Sequence, residues 1–228
     1  MQLFNAILNK NSNLCKKLIE DENTDPNFRA MGPKNKVWGV LTLAVYQDLP
    51  DVTLLLIKAG ANIEEKDSSS YTPLLMAARY GYWSVAEVLL KNGANTEARE
   101  TAMFSLTPLL MATGFGHVHT VAGLLKYGAD IEARSSAKRT ALHVATRWNK
   151  VDVIKVLLKA NANVEAMEEN EDTPLHFAAT FDRLEIAKLL LAHGAGVNPE
   201  NLNGQTPLDL AKSNEMSSYL ISKGGQRG

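Results

Sequence analysis

The chain has 228 residues, 45% hydrophobic and 21% charged, and a formal charge of −1, a composition that excludes a disordered chain. Without a basic excess no nucleic-acid partner is expected. The lone cysteine, Cys15, excludes an internal disulfide framework and fits a reducing, cytoplasmic setting.

Met1-Gln2-Leu3-Phe4 lacks the basic start and apolar core of a signal peptide. Apolar runs such as Leu54-Leu55-Leu56-Ile57 are far shorter than the roughly 20 residues of a membrane span, so no membrane association is expected. Leu3, Ala6, Leu14, Leu18 and Ile19 follow helical spacing, and Cys15 on that stripe reads as a buried, inert thiol. Gly39-Val40-Leu41 starts the next helix without a capping side chain. Thr72-Pro73 starts a helix running to about Tyr80, because threonine caps the end and proline suits the first turn. Gly81, Gly116, Asn149 and Asp182 stop four such helices in the left-handed conformation. After Gly81, a second helix carries the apolar stripe Val85, Val88, Leu89 and Leu90.

Two markers recur in phase. Thr72-Pro73-Leu74 returns at Thr107, Thr140 (with Ala141 for proline), Thr173 and Thr206, at spacings of 35, 33, 33 and 33. Gly60-Ala61-Asn62 returns at Gly93, Gly128, Asn161 and Gly194, with the same single irregularity. These residues resemble the ankyrin repeat, with its TPLHxA signature and 33-residue period. The resemblance implies an all-α solenoid of helix-turn-helix pairs joined by hairpin-like fingers. It is read as one domain of seven units: 1–37 (N-terminal cap), 38–70, 71–105, 106–138, 139–171, 172–204 and 205–228 (C-terminal cap). The family's histidine occurs only as His143 and His176, so its tie between neighbouring fingers is expected only there. Asn27 and Asn198 occupy a position hydroxylated in some animal ankyrin proteins; Glu64, Glu97, Glu132 and Glu165 stand there in other units.

The resemblance also implies that the first helix of each unit lines a concave face. Eight residues after the threonines stand Tyr80, Phe115, Trp148 and Phe181, with Tyr46 one residue off the equivalent place. Such rings either pack on one another, anchor a partner, or do both. Five half-covered rings would supply on the order of 400–600 Å² of a standard footprint of about 800 Å². Arg79 and Arg147 precede two of them and suit carboxylate clamping or stacking. The two-residue insertion in the finger Arg99–Leu106 creates an apolar tip, Ala102-Met103-Phe104, that either covers the array or reaches for a partner. The next finger is basic (Arg134, Lys138, Arg139) and the following one acidic (Glu165, Glu168, Glu169, Glu171, Asp172), which suits solubility and attraction between units.

No phosphate loop, nucleophile elbow or zinc-protease motif occurs, and His117-Val118-His119 lacks partners at zinc spacing. Carboxylates on fingers offer no dry pocket for acid–base chemistry. The expectation is a monomeric, non-enzymatic protein without cofactor or metal. It would bind a protein partner, as adaptor, scaffold or inhibitor, through Tyr46, Arg79, Tyr80, Met103, Phe104, Phe115, Arg147, Trp148 and Phe181. Alternatives are the targeting or regulatory part of a larger enzyme, a bacterial effector acting on a host protein, and a structural spacer.

Overall fold

A computed structural model describes residues 1–21, 24–33, 36–101 and 103–228; Ala102 of the inserted tip lies outside them. Helices come in pairs: α1 (Gln2–Leu8) with α2 (Ser12–Ile19), α3 (Val40–Tyr46) with α4 (Pro50–Lys58), and α5 (Pro73–Tyr80) with α6 (Trp83–Lys91). They continue as α7 (Pro108–Phe115) with α8 (Val118–Lys126), α9 (Ala141–Arg147) with α10 (Val151–Lys159), α11 (Pro174–Thr180) with α12 (Leu184–Ala192), and α13 (Pro207–Leu210) with α14 (Asn214–Ser222). Odd-numbered helices stack successively on one another, and α2 to α12 form a second, parallel stack. Two short strands, β1 (Arg29–Met31) and β2 (Val37–Gly39), pair antiparallel, Ala30 opposite Trp38, in the first finger.

Helices shorter than about 12 residues are marginal alone in water, so packing between units holds these. Leu74, Leu109, Leu142, Leu175 and Leu208 are all buried at one register. Leu89, Leu124, Leu157 and Leu190 are buried in the second stack, and both sets belong to one continuous core. Cys15 is buried in it, and desolvation raises its thiol pKa.

The helix starts follow from threonine chemistry. Thr72 and Thr107 hydroxyls accept from the backbone N–H of Leu75 and Leu110, each at 3.3 Å. In α9 and α11 the histidine completes the cap. Thr140 N–H donates to His143 Nδ1 (3.3 Å), while His143 Nε2–H donates to the Asp172 carbonyl in the next finger (2.9 Å). His176 repeats this with Thr173 and the Gln205 carbonyl (both 3.0 Å). A third tie was not legible in the repeat: His117 Nε2–H donates to the Arg79 carbonyl (3.0 Å). At α3 the cap position is Gly39, where a side chain would collide with the Glu65 carboxylate. Gly81, Gly116, Asn149 and Asp182 all have positive φ, between 53° and 83°, and the first helices stop there.

Finger carboxylates join neighbouring units by specific hydrogen bonds. Glu64 accepts from Asn95 N–H (2.8 Å), Glu97 from Asp130 N–H (2.9 Å), Glu132 from Asn163 N–H (2.8 Å) and Glu165 from Gly196 N–H. Asn27 and Asn198 extend the ladder, accepting from Asn62 and Gln226 N–H (2.8 and 2.7 Å). Each rung fastens one unit to the next. Arg134, part of the basic finger, donates to the Met167 carbonyl (2.6 Å), and Arg139 faces Glu168 at 3.7 Å.

Candidate functional site

The first helices α5, α7 and α9 and the finger loops beside them enclose a groove of about 650 Å³. Its apolar lining comes from Met103, Phe104 and Leu106 of the inserted finger, Leu110, Met111 and Phe115 of α7, Val144 of α9, and Trp148 just after α9. Arg79, Arg139 and Arg147 supply its positive charge.

The inserted finger forms one wall because of one buried carboxylate. Glu100, only 3% exposed, accepts from the backbone N–H groups of Met103 (3.0 Å), Phe104 (2.8 Å) and Leu106 (3.3 Å). The Phe104 carbonyl accepts from Ser136 N–H of the next finger (2.8 Å). Thus the tip is fixed while Met103 and Phe104 stay 74% and 52% exposed. Glu100→Ala is expected to leave those amides without their acceptor and cost about 2–3 kcal/mol. Urea melts would read the loss, and hydrogen exchange at residues 103–106 should accelerate. Unchanged protection would assign the loop's order to other contacts.

The five aromatic positions share a register but not an environment. Tyr46 and Tyr80 meet edge to face (centroids 5.7 Å apart), and each is half-buried against a further ring, Trp38 at 4.8 Å and Tyr82 at 5.5 Å. Phe181 is half-buried against Phe177 (5.8 Å). Phe115 and Trp148 are open, 48% and 59% exposed. Six of the nine residues singled out from sequence line the groove: Arg79, Met103, Phe104, Phe115, Arg147 and Trp148. Tyr46, Tyr80 and Phe181 lie outside its lining.

The arginines are held by π faces. Arg79 Cζ lies 5.5 Å from the Tyr71 ring centroid and 5.2 Å from that of Phe115, and its Nη1 donates to Tyr71 Oη (3.0 Å). Arg147 Cζ lies 5.8 Å from the Trp148 centroid and 5.1 Å from that of Phe181. Arg139 stands 5.5 Å over Phe177. Sequence reasoning missed Tyr71, Glu100, Leu110, Met111 and Val144 as parts of this site. Glu100 was detectable in principle: Asp67, Ser135, Glu168 and Asn201 hold the same register, and each accepts a backbone N–H within its own finger.

Among the described residues no group of three or more His, Cys, Asp or Glu is placed to hold a metal, and no helix is long and apolar enough to cross a membrane. The groove brings together two open rings, guanidiniums over ring faces and a finger wall held by Glu100.

A family model described as ankyrin repeats (3 copies) matches residues 3–100, 96–168 and 160–227. A 69-residue stretch, 28% of the chain, is 41% identical to Ankyrin repeat and KH domain-containing protein 1 of Homo sapiens. Identity is also 41% over 69 residues to Ankyrin repeat and KH domain-containing protein mask of Drosophila melanogaster. The chain spans 3% and 2% of the length of these curated relatives. Among solved structures, the ankyrin repeat domain of human ASB11 superposes with TM-score 0.82 and 26% identity, covering 100% of both chains. The ankyrin repeat domain of Bcl-3, a member of the IkappaB family, superposes with TM-score 0.86 and 27% identity, covering 97% of this chain and 98% of that one.

Proposed function

On the premise that the chain belongs to the ankyrin-repeat family, we propose that it works as an adaptor or inhibitor that holds a segment of a partner protein in the groove of α5, α7 and α9. Ankyrin repeats are in general protein–protein interaction modules, typically non-catalytic. The observation that carries the reading is the open pair Phe115 and Trp148 beside the exposed Met103-Phe104 tip. An apolar cluster of this size in water is costly unless something covers it, and aromatic and arginine side chains dominate binding hot spots. The mode of action is steric: the rigid array occupies a partner surface, or brings two proteins together.

Phe115→Ala combined with Trp148→Ala tests this. Truncating two central anchors is expected to cost about 2 kcal/mol each, so affinity capture should recover at least a hundredfold less partner. Both side chains are about half exposed, so the melting temperature should fall only modestly while capture collapses. Equal recovery of the same partners by the variant and the native protein would move the binding surface away from the groove.

A further inference from the structure

The groove's charge and spacing specify its occupant. We infer that it takes an extended segment of another protein in which an apolar side chain is flanked by two carboxylates about five or six residues apart. This rests on the groove being the binding site.

Arg79 and Arg147 hold the same register two units apart, each seven residues after its threonine (72 and 140). Stacked helices lie roughly 8–10 Å apart, so two steps span about 16–20 Å. An extended chain advances about 3.3 Å per residue and covers that in five or six residues. Each guanidinium is already ordered over aromatic rings, and among the described residues neither has a carboxylate within ion-pair distance. Contact with a ring face leaves guanidinium N–H groups for a carboxylate: Arg79 spends one on Tyr71 Oη and keeps its others. The other two charges in the lining are engaged: Arg139 faces Glu168, and Glu100 holds the finger.

Between the arginines the same register carries Gly114, which has no side chain. A Cβ added there would meet only Val144 Cγ1, at an ordinary 3.5 Å. The gap opens beside Val144 in a groove whose lining also carries Phe104 and Phe115, so an apolar side chain of the ligand would fill it. Gly114→Leu should fold, since glycine is the poorer residue inside a helix, yet occupy the gap.

A phage-displayed library of random dodecapeptides can be panned on three immobilised proteins: native, Gly114→Leu, and Arg79→Glu with Arg147→Glu, each verified by thermal melting. The native protein should enrich peptides carrying Asp or Glu on both sides of a large apolar residue. Gly114→Leu should lose them, and the charge-reversed protein should enrich Lys or Arg at the same spacing. In a synthetic enriched peptide, changing either carboxylate to its amide should weaken binding about tenfold. Peptides without acidic preference that Gly114→Leu still loses would overturn the carboxylate inference and leave the groove standing. Peptides that bind Gly114→Leu as well as the native protein, or no enrichment at all, would sink both readings.

Discussion

Removing residues 205–228 is expected to turn the protein into an aggregating one, melting about 10–20 °C lower. The deletion takes away Leu208, Met216 and Leu220, all buried, and strips α13 from the face of α11. Leu175, Ile186 and Leu190, buried in the intact chain, then stand in the terminal unit. Each such side chain costs about 1.5–3 kcal/mol if left in water, and a whole domain is stable by only about 5–15 kcal/mol. Two specific ties go as well: His176 loses the Gln205 carbonyl, and Asp182 loses its 2.6 Å bond from the Ser213 hydroxyl. A shift of 1 kcal/mol moves the melting point by about 2–4 °C in a chain of this size. Sedimentation velocity and calorimetry provide the readout. A truncated protein that stays monomeric and melts where the native one does would show that α13 and α14 do not act as the cap.

Acid should destabilise the native protein by about 3 kcal/mol between pH 6.5 and pH 4 through one side chain. His143 is buried, and desolvation, with Arg134 and Arg139 nearby, lowers its pKa to about 4 despite the favourable bond to the Asp172 carbonyl. The unfolded chain has an ordinary histidine at about 6.5. Above that pH neither state binds the proton, and stability is independent of it. Below it the unfolded state takes up a proton that the folded state refuses, so stability falls by about 1.4 kcal/mol per pH unit until the folded pKa is reached. Urea titrations at half-unit pH steps, on the native protein and on His143→Asn, separate this slope from the carboxylate contribution. The variant should be weaker at neutral pH, having lost a buried tie, yet flatter in this window. Equal slopes would refute a neutral His143.

Sequence reasoning reached the fold because an ankyrin unit is specified locally. Thr72 caps α5, Gly81 stops it, and Leu74 lands in the core by helical periodicity alone. The cap that His143 and His176 complete is local, ring and threonine lying three residues apart, but their tie to the next finger, 29 residues on, was legible only through the family resemblance. The ladder through Glu64, Glu97, Glu132 and Glu165 was not: each rung joins residues 31 or 33 positions apart, and nothing local tells a clamped glutamate from a solvated one.

The site divides along the same line. The repeat period by itself set Tyr80, Phe115 and Trp148 in one register and put Arg79 and Arg147 in another. Only the tertiary structure decided that Tyr80 packs between Tyr46 and Tyr82 while Phe115 and Trp148 stay open. It also decided that Glu100 pins the inserted finger as a wall. The physical reason is that a side chain's exposure is set by its neighbours in space. In a stacked array those neighbours come from adjacent units, about 33 residues away along the chain.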